Sequence, residues 1–541
     1  MPNESRDRWS NRAAFILAAV GSAVGLGNIW RFPHVAYSAG GGAFLIPYFI
    51  ALLTAGIPLL MLEYGLGHRM QGAAPTAMGR AHKRFEFAGW WAAAGGLFIT
   101  FYYAIIIAWV VFYCSELAQS LFTGKLPWEE GQAAHYLMHN AVTGNAETEA
   151  TVGKMSPINW SAVGFNSLVW GFIYYAIRNG VQSVGKVVWV TVLVPYLLLF
   201  LLFFQAINLE GASAGLSYYL APDWSKLDTL PEIAKATAAA YGQVFFSLSI
   251  GFGIMMAYAS FLPKKSDISN NAIITSFANS GTEFFGGFIT FSVLGFLALN
   301  SGQFVGDVVG TSSFGVAFIS YPTAIENIPV AVELQAAIGL AFFGSLLLLG
   351  VDSAFSLVEA MVAGVHDKFS VARKRVAALL CVFGWIVGFL FCNPGGLHLL
   401  DAMDHYLSHG LMMIGLIQCI LIGWVFGTFK LRKHINAVSE RRITWFWEFC
   451  IKWLTPIVLI WLLIQNFYED WRALWDDDAT FYEGMPLWIN LIGLLTLVFA
   501  CTVGFILARA KMQKSDYFTV PTFDYEDKAT EASATKEGGE A

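Results

Sequence analysis

Charge is the first thing this chain has little of. Lys, Arg, Asp and Glu make up 13% of its 541 residues, against about 25% in a typical soluble domain. A net charge of -6 offers no basic surface for nucleic acid. Cysteine is sparse: Cys114, Cys381, Cys392, Cys419, Cys450 and Cys501 are scattered through apolar stretches. They lack the spacing of a metal site or a disulfide framework and read as small buried hydrophobes. No His-Glu or Cys cluster with metal spacing, no nucleophile elbow and no phosphate loop is present, which argues against a membrane enzyme. The charged N-terminus enters the first apolar run without a small-residue cleavage site, so no cleavable signal is expected.

What remains is apolar: 56% of residues are hydrophobic and 16% aromatic, with 52 glycines, the profile of packed membrane helices with interfacial belts. Runs of about 20 apolar residues cross a bilayer. Twelve occur, near 13–37, 42–69, 88–121, 161–178, 187–208, 237–262, 270–300, 336–366, 374–392, 397–426, 444–466 and 486–510. The connections alternate in charge. Arg6, Arg8 and Arg12, then Arg69, Arg80, Lys83 and Arg84, then Arg178 and Lys186 fall on one side. Lys264 and Lys265, Arg373 to Arg375, and Lys430 to Arg442 continue that side, while Glu129, Glu130 and Asp476 to Asp478 mark the other. The positive-inside rule then places both termini in the cytoplasm of a multi-pass membrane protein. The outer connections 209–236 and 301–335 mix aromatics with helix starts and are expected to cap the outer face. From about Lys511 the chain is polar and reads as a disordered tail. The organisation is an N-terminal segment 1–12, a core 13–426, two further segments in 427–510 and the tail 511–541.

Two of the twelve runs are interrupted. Residues 21–33 read Gly-Ser-Ala-Val-Gly-Leu-Gly-Asn-Ile-Trp-Arg-Phe-Pro. Gly21, Gly25 and Gly27 each weaken a helix by roughly 1 kcal/mol relative to alanine, and Asn28 and Arg31 put an amide and a charge at membrane depth. Bared backbone is tolerated there only where it lines a protein cavity, so this stretch is expected to bind something. The second interruption is Ser247-Leu-Ser-Ile-Gly-Phe-Gly253, five segments later. Gly-interrupted segments at matching positions of two halves point to a transporter built from inverted repeats.

These residues resemble the neurotransmitter:sodium symporter family, and in particular its bacterial LeuT-like amino acid transporters. The resemblance runs from Ser22 to Pro33 and Gly40-Gly-Gly-Ala-Phe-Leu-Ile-Pro-Tyr48, through Gly242 to Ser249 and Asn279, to Gly350-Val-Asp-Ser353 and Asp401-Ala-Met-Asp404. It covers residues 6–510. It implies an all-α, LeuT-type fold: a 5+5 inverted repeat with broken helices 1 and 6, and twelve transmembrane helices in all. It also implies sodium-driven import of amino acids or related amines by alternating access, with two sodium sites and no organic cofactor.

By that resemblance, the first sodium site uses the Ala23 carbonyl, Asn28, Ser247 and Asn279, completed by the substrate carboxylate. The second uses the Gly21, Val24 and Leu349 carbonyls, Asp352 and Ser353. Asp352 also stands out by itself, because a mid-membrane acid costs several kcal/mol without a partner; a carboxyl hydrogen-bonded between helices is the structural alternative. A substrate carboxylate would take the Leu26 and Gly27 amides at a half-helix N-terminus and the Tyr103 hydroxyl. An ammonium would take the Ala23, Phe246 and Ser247 carbonyls and Ser249. Ile99, Phe252, Ser356 and Leu357, with Ser249 on the near wall, would form the mostly apolar side-chain pocket, favouring a neutral hydrophobic substrate, and Ser353 counts among the substrate-binding residues as well. Where Gly25 stands, monoamine-transporting relatives have an aspartate, so a substrate with its own carboxylate is expected.

Glu283 replaces the serine of chloride-dependent relatives, beside the positions of Tyr48, Gln243, Ser247 and Asn279. A fixed anion removes the need for a bound one, so transport is expected to be chloride-independent, with Glu283 a candidate proton carrier on the empty return step. Its structural alternative is a carboxyl paired with Gln243 and Asn279. Arg31 and Asp404 match the family's outer gate, over Tyr103 and Phe246; Arg6 and Asp367 match the inner gate, beside Trp9. The connection after the third segment lacks the cysteine pair of animal members, and Asn159-Trp-Ser161 is a sequon abutting a helix. Both features favour the inner membrane of a bacterium. The rival readings are a transporter of an amine, a GABA-like or another small amino acid substrate, and an amino-acid sensor without turnover. Segments eleven and twelve, without polar mid-membrane residues, are left as packing or homodimer elements.

Overall fold

A computed structural model of the protein describes residues 7–128, 131–144, 157–309, 313–369, 371–473, 487–511 and 514–523. Among the described residues there is no strand, and nine helices are long and apolar enough to span a bilayer. They are Gly42–Met70, Lys83–Thr123, Val181–Ile207, Ile268–Ser301, Val332–Lys368, Arg373–Phe391, Gly396–Phe426, Trp445–Arg472 and Leu487–Arg509. The expected count of twelve is completed by Trp160–Ile177, whose Asn and Tyr residues dilute its hydropathy, and by the two interrupted segments.

The first interrupted segment runs as Arg12–Ala23, Leu26–Ile29 and Arg31–Ser38. Val24 and Gly25 are extended between the first two pieces. The second runs as Leu230–Ser247 and Ile254–Ala259. In the gap Ser249 takes φ +53°, a left-handed conformation that costs on the order of 1–3 kcal/mol for a non-glycine residue. Glu63, from the Gly42–Met70 helix, holds that gap open. Its Oε1 accepts from Gly251 N–H at 3.0 Å and from Gln418 Nε2 at 2.8 Å. Two such interruptions in matching segments form the LeuT-type inverted-repeat architecture.

The interrupted segments lie at the centre, with the Glu86–Thr123, Ile268–Ser301 and Val332–Lys368 helices around them. Glu86–Thr123 and Val332–Lys368 run along one another, Tyr113 stacking on Phe343 with ring centroids 4.5 Å apart. The Val181–Ile207 and Arg373–Phe391 helices expose Leu197, Phe200, Val382 and Ile386, as a lipid-facing surface requires. The connections after segments five and seven do pack as caps. Tyr219 stacks on Phe291 at 4.7 Å, and Phe314 and Phe318 close on Trp30 at 6.4 and 5.8 Å.

Part of the tail departs from expectation. Residues 514–523 are held on the molecule, with Tyr517 and Phe523 buried. Arg80 Nε donates to the Tyr517 carbonyl at 2.8 Å, Arg69 Nη1 to Pro521 at 2.6 Å and Lys264 Nζ to Thr522 at 2.7 Å. Basic residues of the connections thus bind tail carbonyls, and two aromatics supply the apolar burial that a polar composition hides. Asn159 of the sequon is engaged inside the molecule. It is buried, caps its helix by accepting from Ala162 N–H at 3.0 Å, and donates to the Ala141 carbonyl at 2.9 Å. Arg6, Glu129, Glu130, Asp476 to Asp478 and the tail beyond Phe523 lie outside the described residues.

Candidate sodium and substrate site

A cavity of about 570 Å³ opens between the two interruptions, within the range of small-molecule sites. Ala23, Gly25, Leu26, Gly27, Asn28, Ile99, Tyr103, Phe246, Ser247, Ser249, Phe252, Ser353 and Leu357 line it, as expected. Ser356 does not. It is fully buried, donates to the Asp352 carbonyl at 2.7 Å and bonds the Tyr258 hydroxyl at 2.6 Å. One helical turn beyond Asp352, it shares that residue's face, whereas Ser353 and Leu357 share the cavity face.

At the first break, the Gly25 N–H donates to Asn28 Oδ1 at 2.9 Å. The Asn28 and Asn279 amides are 2.8 Å apart, and the Asn279 amide lies 3.0 Å from Ser247 Oγ and 3.1 Å from the Ala23 carbonyl. Four oxygen-bearing groups from three segments therefore meet in one buried cluster, chemistry suited to a hard cation.

The second cluster gathers around Asp352, which is buried. Its Oδ1 accepts from Thr191 Oγ1 at 2.6 Å, while Oδ2 has no hydrogen bond among the described residues. Gly21 faces it so closely that a β-carbon there would come within 2.3 Å of Oδ2. The Ser22 carbonyl accepts from Ser249 Oγ at 3.0 Å and from Ser353 Oγ at 3.3 Å. A buried carboxylate oxygen beside bare backbone can hold a monovalent cation. Val24 is buried at the extended C-cap of the Gly21 helix, and Leu349 is buried in the Asp352 helix.

The Tyr103 hydroxyl accepts from Leu26 N–H at 3.3 Å, at the start of the short helix that follows the break. A β-carbon on Gly25 would approach Ser353 Oγ to 2.8 Å and Tyr103 Oη to 3.3 Å. Above, the Arg31 guanidinium lies 4.2 Å over the Phe246 ring, a cation–π contact. Asp404 lines the same mouth but accepts from Tyr102 Oη at 2.7 Å, and no Arg31–Asp404 ion pair within 4.0 Å occurs among the described residues, where Arg31 Nη1 has no hydrogen bond. The expected outer pair is thus apart. Of the inner gate, Asp367 Oδ2 accepts from Ala73 N–H at 2.7 Å and Trp9 Nε1 donates to the Tyr258 carbonyl at 2.9 Å.

Glu283 is fully buried one turn after Asn279. Gln243 Nε2 donates to its Oε1 at 2.5 Å; Tyr48 Oη donates to its Oε2 and lies 2.9 Å from Ser280 Oγ. Tyr48 and Gln243 thus hold both oxygens of Glu283, while Asn279, one turn before it, bonds Ser247.

Sequence reasoning missed Tyr102, Thr191 and Glu63. Glu63 carried a usable signal, since a lone acid inside an apolar run marks a functional position as Asp352 does. Thr191 and Tyr102 did not, because a hydroxyl in a membrane helix usually satisfies itself on its own backbone.

The sodium:neurotransmitter symporter family model matches residues 6–156 and 143–514. An uncharacterised sodium-dependent transporter of Methanocaldococcus jannaschii is 37% identical over 516 residues, covering 94% of this chain and 99% of its own. The sodium-dependent dopamine transporter of Caenorhabditis elegans is 31% identical, covering 91% of this chain and 84% of its own. The sodium- and chloride-dependent creatine transporter 1 of Homo sapiens is 33% identical, covering 86% and 78%. The interrupted helices, the oxygen clusters between them and these matches together make the chain a member of the sodium:neurotransmitter symporter family, a sodium-dependent membrane symporter and not an enzyme.

Proposed function

We propose that the protein imports a neutral, predominantly hydrophobic α-amino acid by alternating access, driven by sodium at two sites and independent of chloride. Gly25 carries the substrate class. A side chain there would collide with Ser353 and Tyr103, so the protein supplies no carboxylate and the substrate brings its own. That carboxylate takes the Leu26 and Gly27 amides and the Tyr103 hydroxyl. The ammonium takes the Ala23, Phe246 and Ser247 carbonyls and Ser249, and Ile99, Phe252, Ser353 and Leu357 receive the side chain. Dopamine has no carboxylate and creatine carries one, so the two relatives' names divide on this feature.

Ala23, Asn28, Ser247 and Asn279 hold the first sodium, and Gly21, Val24, Leu349, Asp352 and Ser353 the second. Glu283 stands in for chloride, giving fixed negative charge near the first sodium, and releases or takes a proton on the empty return. Arg31 and Asp404 close the outer gate; Arg6, Trp9 and Asp367 close the inner one. The setting is the inner membrane of a bacterium with both termini cytoplasmic.

Uptake into proteoliposomes under an inward sodium gradient tests the reading. Labelled leucine is the probe, competed by a panel of amino acids, dopamine and creatine. Sodium-dependent uptake displaced by neutral hydrophobic amino acids is expected. Displacement by dopamine or creatine alone would overturn the substrate class, and saturable binding without uptake would make the chain a sensor.

A further inference from the structure

The Gly396–Ile420 helix carries a second polar group, made by residues that do not line the cavity. His405 and His409 sit one helical turn apart, their ring centroids separated by 4.7 Å. Asp470, from the Thr455–Ala473 helix, reaches both: His405 Nε2 is 2.8 Å from Oδ1, and His409 Nε2 is 3.5 Å from Oδ2. The ligand atoms of all three lie within 4.8 Å of one another.

His409 declares its own tautomer. Its Nδ1 lies 2.7 Å from the His405 carbonyl, which can only accept, so Nδ1 carries a proton and in the neutral ring Nε2 presents a lone pair. That lone pair faces Asp470 Oδ2, another acceptor, and neither atom has a hydrogen-bond partner among the described residues. The His409 side chain is 3% exposed and that of Asp470 19%, and both facing atoms are buried. Two acceptors that face each other in a buried place call for positive charge between them.

We propose that His405, His409 and Asp470 bind one divalent transition-metal ion of the zinc class, joining the two helices. Two imidazoles and a carboxylate suit zinc, with a fourth position left for water. Zinc–ligand bonds of about 2.0–2.1 Å place tetrahedral ligands about 3.4 Å apart, which lies between the two separations here. The 2.8 Å contact of His405 with Asp470 needs a proton on His405 Nε2. Binding breaks that N–H bond, forms the Nε2–metal bond and releases the proton to solvent. Magnesium and calcium prefer all-oxygen shells and are not expected to compete.

The test uses the full-length chain, tag removed, stripped with EDTA in detergent and titrated calorimetrically with zinc chloride near neutral pH. One zinc per chain is expected, with magnesium chloride giving no binding heat. His405→Gln, His409→Gln and Asp470→Asn should each weaken zinc at least about tenfold. Zinc should raise the wild-type Tm and leave that of His405→Gln/His409→Gln unchanged. If that double variant does not fold, Asp470→Asn supplies the same comparison, and zinc X-ray absorption of the wild type should show two imidazoles. No stoichiometric zinc in the wild type, zinc bound equally by the variants, or an absorption edge without imidazole would overturn the proposal. The first result would leave an imidazolium–carboxylate pair.

Discussion

Tyr517 and Glu86, 431 residues apart in the chain, meet at 3.1 Å, the phenol donating to Glu86 Oε1. The same oxygen accepts from Lys368 Nζ at 2.8 Å and Trp90 Nε1 at 3.0 Å. Lys368 spends its other hydrogens on the Leu507 and Ala508 carbonyls at 2.6 and 2.9 Å. Burial first, and then Glu86, pushes the Tyr517 phenol above its usual pKa, so it remains a donor. Tail, segment three, segment eight and segment twelve are thereby fastened at one buried point.

Tyr517→Phe removes one hydrogen bond to a charged group and should cost about 1.5–3 kcal/mol. Glu86→Gln leaves the Lys368 ammonium buried without a counter-charge and should cost about 3–5 kcal/mol. Thermal unfolding in detergent checks both. The order is the content of the prediction: equal shifts would mean the tail, not the ion pair, dominates.

His434 links the tail to pH. It lies beyond the membrane-spanning part of its segment, buried, with its ring 4.8 Å from Phe523 and Nε2 3.0 Å from His68 Nδ1. Burial, then the neighbouring His68 and Arg69, hold its pKa well below the usual value. The unfolded chain carries an ordinary histidine of pKa about 6.5, so below that pH the unfolded state binds the extra proton. Stability is therefore full above about pH 6.5 and falls as the pH drops through it. His434→Gln should flatten the Tm–pH profile between pH 7 and the acid side; parallel profiles would exclude His434 as a source of the slope.

If Asp352 Oδ2 holds the second sodium as proposed, Asp352→Asn should reduce sodium-dependent uptake to the level of empty liposomes. Gly21→Ala is a sharper probe, since its β-carbon would come within 2.3 Å of that oxygen. The expected loss of apparent sodium affinity is at least about tenfold, equivalent to about 1.4 kcal/mol. Sodium titrations of uptake measure it, and an unchanged half-saturation for Gly21→Ala would remove this cluster from the sodium path.

Replacing chloride with gluconate should leave wild-type uptake unchanged if Glu283 provides the anion. Glu283→Ser should then make uptake depend on chloride. Wild-type uptake that collapses in gluconate would sink the compensation argument.

Much of this was legible in the chain itself. Gly21, Gly25 and Gly27 within seven residues announced a break, because each weakens the helix and the bared backbone is tolerated at membrane depth only around a cavity. The same patterning located Ser247 to Gly253. The apolar runs and their basic flanks set the segment count, since bilayer thickness fixes helix length.

Other features came only from the fold. The resemblance grouped Ser353, Ser356 and Leu357 at the substrate, but the rotation of their helix turned Ser356 to Tyr258 and the other two to the cavity. The tail read as unstructured because composition averages over its length, while two aromatics and a few basic side chains decide its docking. Asp404 was matched to Arg31, yet Tyr102 holds it in this arrangement of the gate. His405, His409 and Asp470 lie on two segments and share no motif. Residue type, spacing and hydropathy act locally and can be read along the chain, whereas which polar atoms are left facing one another depends on how distant helices pack.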